Sequence, residues 1–229
     1  MIFRELIIKI DSDKESIDYI YGFKTKCRHV LNFIERTCLN TLKWPTDGFN
    51  ALGVVLSDKP DDTYIINFSK VLVVTLPFNK KEIDGLDTNS KLFNFVFRTF
   101  KIVLEKEYKK YNLPKTEILE SFDEFKDLGY KNEWIFTKKK LKDIGTVELH
   151  CSLTIDKFEL TVLVYHETEI IFKEVILKTD PDELAFESRF KNIEVGAHSF
   201  KVFSHLKKKL YEKKFSELKY KGNNKPGQA

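Results

Sequence analysis

Glu148 and His150 stand two residues apart within Thr146 to Ile155, a stretch that alternates polar and apolar residues. On an extended strand that spacing puts both on one face, one pleat apart, where they could work as an acid–base pair. The solvated face of an ordinary strand carries the same pattern, and that is the expected reading. Cys27 and Cys38 fall on an apolar helical stripe, and Cys151 on the apolar side of the strand. Buried thiols of this kind behave as small hydrophobes rather than as nucleophiles. Three scattered cysteines with no C-x-x-C pair also make no disulfide framework.

The five histidines, at 29, 150, 166, 198 and 205, form no H-x-x-x-H and no zinc-spaced Cys/His pair. Surface or capping roles are expected for them, and no metal. The glycines build neither G-x-x-x-x-G-K nor G-x-G-x-x-G, and no G-x-S-x-G elbow occurs. No cofactor is therefore expected. A metal-dependent nuclease would need an acidic residue ahead of a strand bearing Asp/Glu-x-Lys. Pro60-Asp61 and Pro181-Asp182 supply the first part, but Glu107-x-Lys109, Glu124-x-Lys126 and Glu217-x-Lys219 all fall in segments that read as helical. A site assembled from distant segments is the remaining enzymatic reading.

Charge is the stronger signal. Residues 201–229 hold nine Lys and two acidic residues, Glu212 and Glu217, in a chain whose net charge is +4. Lys207, Lys208, Lys209, Lys213 and Lys214 surround Tyr211, an arrangement that could track phosphates and stack on a base. Arg, the preferred reader of base edges, is absent there. A second basic run, Lys138-Lys139-Lys140, would have to lie beside this tail to extend the patch. Two acidic groups oppose it: Glu117, Glu120, Asp123, Glu124 and Asp127 on one predicted helix, and Asp180, Asp182, Glu183 and Glu187 on one connection. Such surfaces can engage a basic protein partner.

The elements that would carry these residues follow from periodicity. Ile2, Leu6, Ile8 and Ile10 share one parity and predict a first strand. Ser12 and Glu15 have capping-box spacing ahead of a helix whose stripe runs Phe23, Cys27, Val30, Leu31, Ile34, Cys38 and Leu42. Gly22 is a point where that helix could divide. Ala51 to Leu56 predicts a strand, and Tyr64 to Leu76 one long strand or a hairpin about Ser69-Lys70. Thr88 or Ser90 opens a helix to Tyr111, and Pro114 begins another that ends at Gly129. Trp134–Leu141, Thr146–Ile155, Phe158–Val164 and Glu169–Leu177 predict an antiparallel sheet, with Asp156-Lys157 as a two-residue turn that sets Ile155 against Phe158. Asp180 to Val195 is ambiguous. Phe200, Phe203, Leu206 and Leu210 predict a terminal amphipathic helix.

The fold class expected is α+β: antiparallel sheet with packed amphipathic helices, a strand-rich C-terminal half and a terminal helix. Residues 1–222 are expected to form one domain, with a subdomain boundary near 113–114 as the alternative, and 223–229 a flexible tail. No signal peptide and no membrane span are seen, so a cytoplasmic location is expected. A folded chain with clustered charge and no assembled chemistry fits a non-catalytic protein-binding module, such as an inhibitor or immunity protein that neutralises a toxin or enzyme. The alternatives are an RNA- or DNA-binding protein using the lysine-rich tail, and the scattered-site enzyme.

Overall fold

The computed structural model describes residues 1–61 and 63–218. It is an α+β protein, and the chain divides into two compact units, 1–132 and 133–229. The division leaves the helix that follows Leu113-Pro114 in the first unit.

The first unit begins with β1 (Glu5–Asp11), where Leu6, Ile8 and Ile10 are buried. Helix α1 (Ile17–Ile34) is capped by Ser16, whose hydroxyl accepts from the Tyr19 N–H at 3.2 Å. The expected Ser12 cap does not form: its hydroxyl oxygen accepts from the Lys14 N–H at 3.3 Å, in the turn ahead of the helix, while it donates to Asp58 at 2.8 Å. Gly22 does not divide α1. The helix passes into one turn of π-helix, Glu35–Leu39, and ends in α2 (Asn40–Leu42). Next come β2 (Ala51–Ser57), buried along its whole length, β3 (Tyr64–Ile66) and β4 (Val71–Pro77). The hairpin alternative holds for 64–77, because Lys70 takes a φ of 57° and turns the chain. The sheet order is β1-β2-β4-β3, with β1, β2 and β4 parallel and β3 antiparallel at the edge. This parallel pairing was not foreseen, since a buried central strand shows no alternation to read. Short α3 (Lys80–Asp84) leads to α4 (Asn89–Tyr111), capped by Thr88, and then to α5 (Lys115–Asp127). Phe93, Phe100, Phe122 and Phe125 are fully buried among these helices.

In the second unit, β5 (Asn132–Leu141, entered from the last residue of the first unit), β6 (Gly145–Leu153), β7 (Phe158–His166) and β8 (Glu169–Thr179) lie in that order in one sheet. β6, β7 and β8 are antiparallel, as expected. The β6–β7 register differs by two residues from the expected one: Leu153, not Ile155, faces Phe158. Thr154 closes a wider turn, its hydroxyl accepting from the N–H groups of Asp156 and Lys157. A slip of two preserves the face of each side chain, so Leu149, Cys151 and Leu153 still point inward. The ambiguous stretch resolves into α6 (Glu183–Phe186), a short 3-10 turn and β9 (Asn192–Val195).

The expected terminal helix is not found over Phe200–Leu210. The chain there forms β10 (Ser199–Phe203) and β11 (Lys209–Lys214), antiparallel, in a second sheet of order β11-β10-β9. Phe200 and Val202 are both fully buried, which is the period of a strand, while Leu206 is 77% exposed in the turn. Both sheets contribute to one core, which includes Leu149, Cys151 and Phe158 from one and Phe200 and Val202 from the other. Lys219 to Ala229, including the expected tail at 223–229, lie outside the described residues. Among the described residues no helix is long and apolar enough to cross a membrane.

Candidate functional site

The first unit places charge in a groove. Arg28 and Glu35 pair at 2.6 Å along the helix, and both reach β1: Glu35 Oε1 accepts from the Leu6 N–H at 2.8 Å, and Arg28 Nη1 donates to the Leu6 carbonyl at 3.2 Å. Glu35 starts the π-turn, whose wider winding brings the Asn40 N–H to the Glu35 carbonyl. Single π-turns inside helices recur at functional sites. Here the turn sets Thr37 and Cys38 against α5, with the Thr37 and Ser121 hydroxyls 3.0 Å apart.

On α5, Ile118, Phe122 and Phe125 are buried. Glu117, Glu120 and Glu124 follow at i, i+3 and i+7, so they share the neighbouring face. These three carboxylates and Cys38 line an open groove of about 300 Å³ between α5 and the π-turn. Among the described residues none of the three is ion-paired. Burial, and then the charges of Glu117, Glu120 and Glu124, push the Cys38 thiol up to about 11. At neutral pH that thiol is protonated and a poor nucleophile. Burial also raises the Cys27 thiol far above its usual value. The groove is thus a surface of unbalanced negative charge. The π-turn is the part that sequence reasoning missed, since its winding leaves no mark on apolar spacing.

The other predicted acidic residues separate from this groove. Asp123 and Asp127 are exposed on α5 but do not line it. Asp182 is buried as the cap of α6, its carboxylate accepting from the Leu184 N–H at 3.0 Å. Asp180 borders a different cleft that also holds Lys157, Lys178 and Arg189. Glu183 is half-buried in the first turn of α6.

The lysine tail does not form the expected helical surface. Lys201 and Lys209 converge on Glu212, at 3.6 and 2.6 Å, and Lys213 reaches Glu217 at 3.1 Å. The Tyr211 hydroxyl donates to Glu174 at 2.6 Å, and its ring packs by Phe200, so it is no free stacking platform. Lys207, Lys208 and Lys214 are exposed. Lys213 also lies over the Phe172 ring of β8, whereas Lys138-Lys139-Lys140 are on β5, at the other edge of the four-stranded sheet. Among the described residues the two basic runs do not join.

Glu148 and His150 meet at 2.8 Å on the polar face of β6. His29 departs from the expected surface role: it is buried, edge-on to Phe125. Glu107 is a buried residue of α4 accepting from the Thr63 hydroxyl at 2.8 Å, so the strand placement of the nuclease pattern is missing there. Among the described residues no three His, Cys, Asp or Glu side chains are grouped to hold a metal ion. Comparison with family models, curated proteins and solved structures finds no match to this chain.

Proposed function

We propose that this chain is a non-catalytic protein-binding module, of the kind that inhibits or neutralises a partner toxin or enzyme, and that the α5 groove receives a basic segment of that partner. The carrying observation is the unpaired set Glu117, Glu120 and Glu124 facing one groove. Like charges at helical spacing repel, at a cost of a few tenths of a kcal/mol per pair. An incoming lysine or arginine would relieve that repulsion and gain charge-assisted hydrogen bonds. The elevated Cys38 thiol supports a binding role over a nucleophilic one. Self-pairing of Lys201, Lys209 and Lys213 weighs against nucleic acid as the main partner.

The test is affinity purification from the native host at moderate salt, with wild-type chain and E117Q/E120Q/E124Q as parallel baits. A protein retained by the first and lost from the second is the expected result. Equal retention by both baits, or turnover of a substrate by the pure chain, would remove this reading.

A further inference from the structure

The second unit carries a cleft of about 500 Å³ that the groove reading does not use. Its walls come from three places. Lys138, Lys139 and Lys140 stand on edge strand β5, Thr146 and Glu148 on β6, and Tyr165 at the end of β7 with Thr168 in the turn after it.

Two devices bring these walls together. Gly145 has a φ of +144°, and a Cβ on it would lie 1.8 Å from the Tyr165 carbonyl oxygen, so only glycine lets the start of β6 lie so close to the end of β7. Beside it, His166 Nδ1 is 2.7 Å from the Ile144 carbonyl oxygen, which ties the β5–β6 turn to the β7–β8 turn. His150 Nε2 holds one oxygen of Glu148, Oε2, at 2.8 Å. The carboxylate is thereby oriented, with Oε1 left for other donors.

The charge pattern selects among ligands. The three lysines have no ion pair among the described residues, so an anion in the cleft would meet uncommitted ammonium groups from this run. Glu148 and Glu167 on the same lining would repel a long polyanion, but they would accept from hydroxyl or amino groups. Tyr165 adds a half-buried aromatic surface, and the volume lies within the range of small-ligand sites, roughly 300–1,000 Å³.

The geometry points to a binding site for a phosphorylated small molecule of nucleoside-monophosphate size, with its phosphate on Lys138–Lys140 and its hydroxyl or amino donors on Glu148. This site stands or falls independently of the α5 groove.

The experiment is an amide-resolved NMR titration of the full chain with adenosine monophosphate, up to about 5 mM. Shifts at Thr146, Tyr165 and Thr168, reversed by excess inorganic phosphate, are expected. K138Q/K139Q/K140Q changes exposed side chains only, and it should weaken binding about tenfold or more. E148Q should weaken adenosine monophosphate while leaving inorganic phosphate unaffected. No shift at these amides, or equal binding by the lysine variant, overturns the site. Tighter, steeply salt-dependent binding of a single-stranded oligonucleotide also overturns it, in favour of a polynucleotide surface.

Discussion

The α5 groove and the lysine tail began as equivalent features, each a dense run of one charge, and they end differently. Glu117, Glu120 and Glu124 keep their charge unbalanced: Ile118, Phe122 and Phe125 fix the helix, and among the described residues none of the three carboxylates forms an ion pair. Lys201, Lys209 and Lys213 lose much of theirs because β10 and β11 bring Glu212 and Glu217 among them. Charge density in the chain is therefore a poor guide to a recognition surface. What counts is charge left uncompensated once the elements have formed.

The largest effect that would break this comparison is at the support of the groove. E35A removes the carboxylate that pairs with half-buried Arg28 and accepts from the Leu6 N–H, and should destabilise the protein by about 3 kcal/mol. Denaturant unfolding measures it, and an effect below about 1 kcal/mol would mean that the π-turn is not anchored there. Next, G145A forces a Cβ onto the Tyr165 carbonyl at an unfavourable φ, and should cost about 2 kcal/mol by the same measurement. An unchanged midpoint would show that the second-unit cleft is not pinned by that approach.

A smaller effect is expected from E117Q/E120Q/E124Q. With three carboxylates gone, the Cys38 thiol should ionise at lower pH, and alkylation at pH 8 to 9 should speed up several-fold while stability changes by less than about 0.5 kcal/mol. The sign follows from the raised thiol. Between its ordinary value of 9.0 and about 11 the folded chain keeps a proton that the unfolded chain releases, so this thiol makes stability fall as pH rises through that window. Acid–base titration of unfolding midpoints in wild type and C38S reads that slope directly. The smallest effect is at Glu212, whose carboxyl is held below the usual range by hydrogen bonds from Lys209 and Ser199. E212Q frees Lys201 and Lys209 and should raise retention on a polyanion column at low salt. No change in elution would mean that self-pairing does not mask the tail.

Local periodicity made much of the fold legible. Helix α4 from its Thr88 cap to Tyr111, the α5 stripe and the inward face of β6 were all readable because one face of each meets a core. The misses have physical causes. Ser12 has capping-box spacing, but its hydroxyl oxygen accepts from the Lys14 N–H and its proton goes to Asp58, 46 residues away. Phe200, Phe203, Leu206 and Leu210 fit a helical period, and short apolar runs do not distinguish that from the strand parity of Phe200 and Val202. Turn chemistry decided the matter: Ser204 bonds the Lys208 N–H through its hydroxyl, and Lys207 takes a φ of 58°. The carboxylates of the groove were legible from helical spacing alone. Cys38 beside them was not, because its position depends on one turn of π-helix between two distant segments.

The most direct measurement is calorimetric affinity for the purified partner, taken for wild type, E117Q/E120Q/E124Q and D123N/D127N. The last two change the same helix, but Asp123 and Asp127 do not line the groove. A loss of more than about tenfold in the first variant and little change in the second is the predicted result. Equal affinities in all three, or equal losses in the two variants, would contradict a recognition role for the groove.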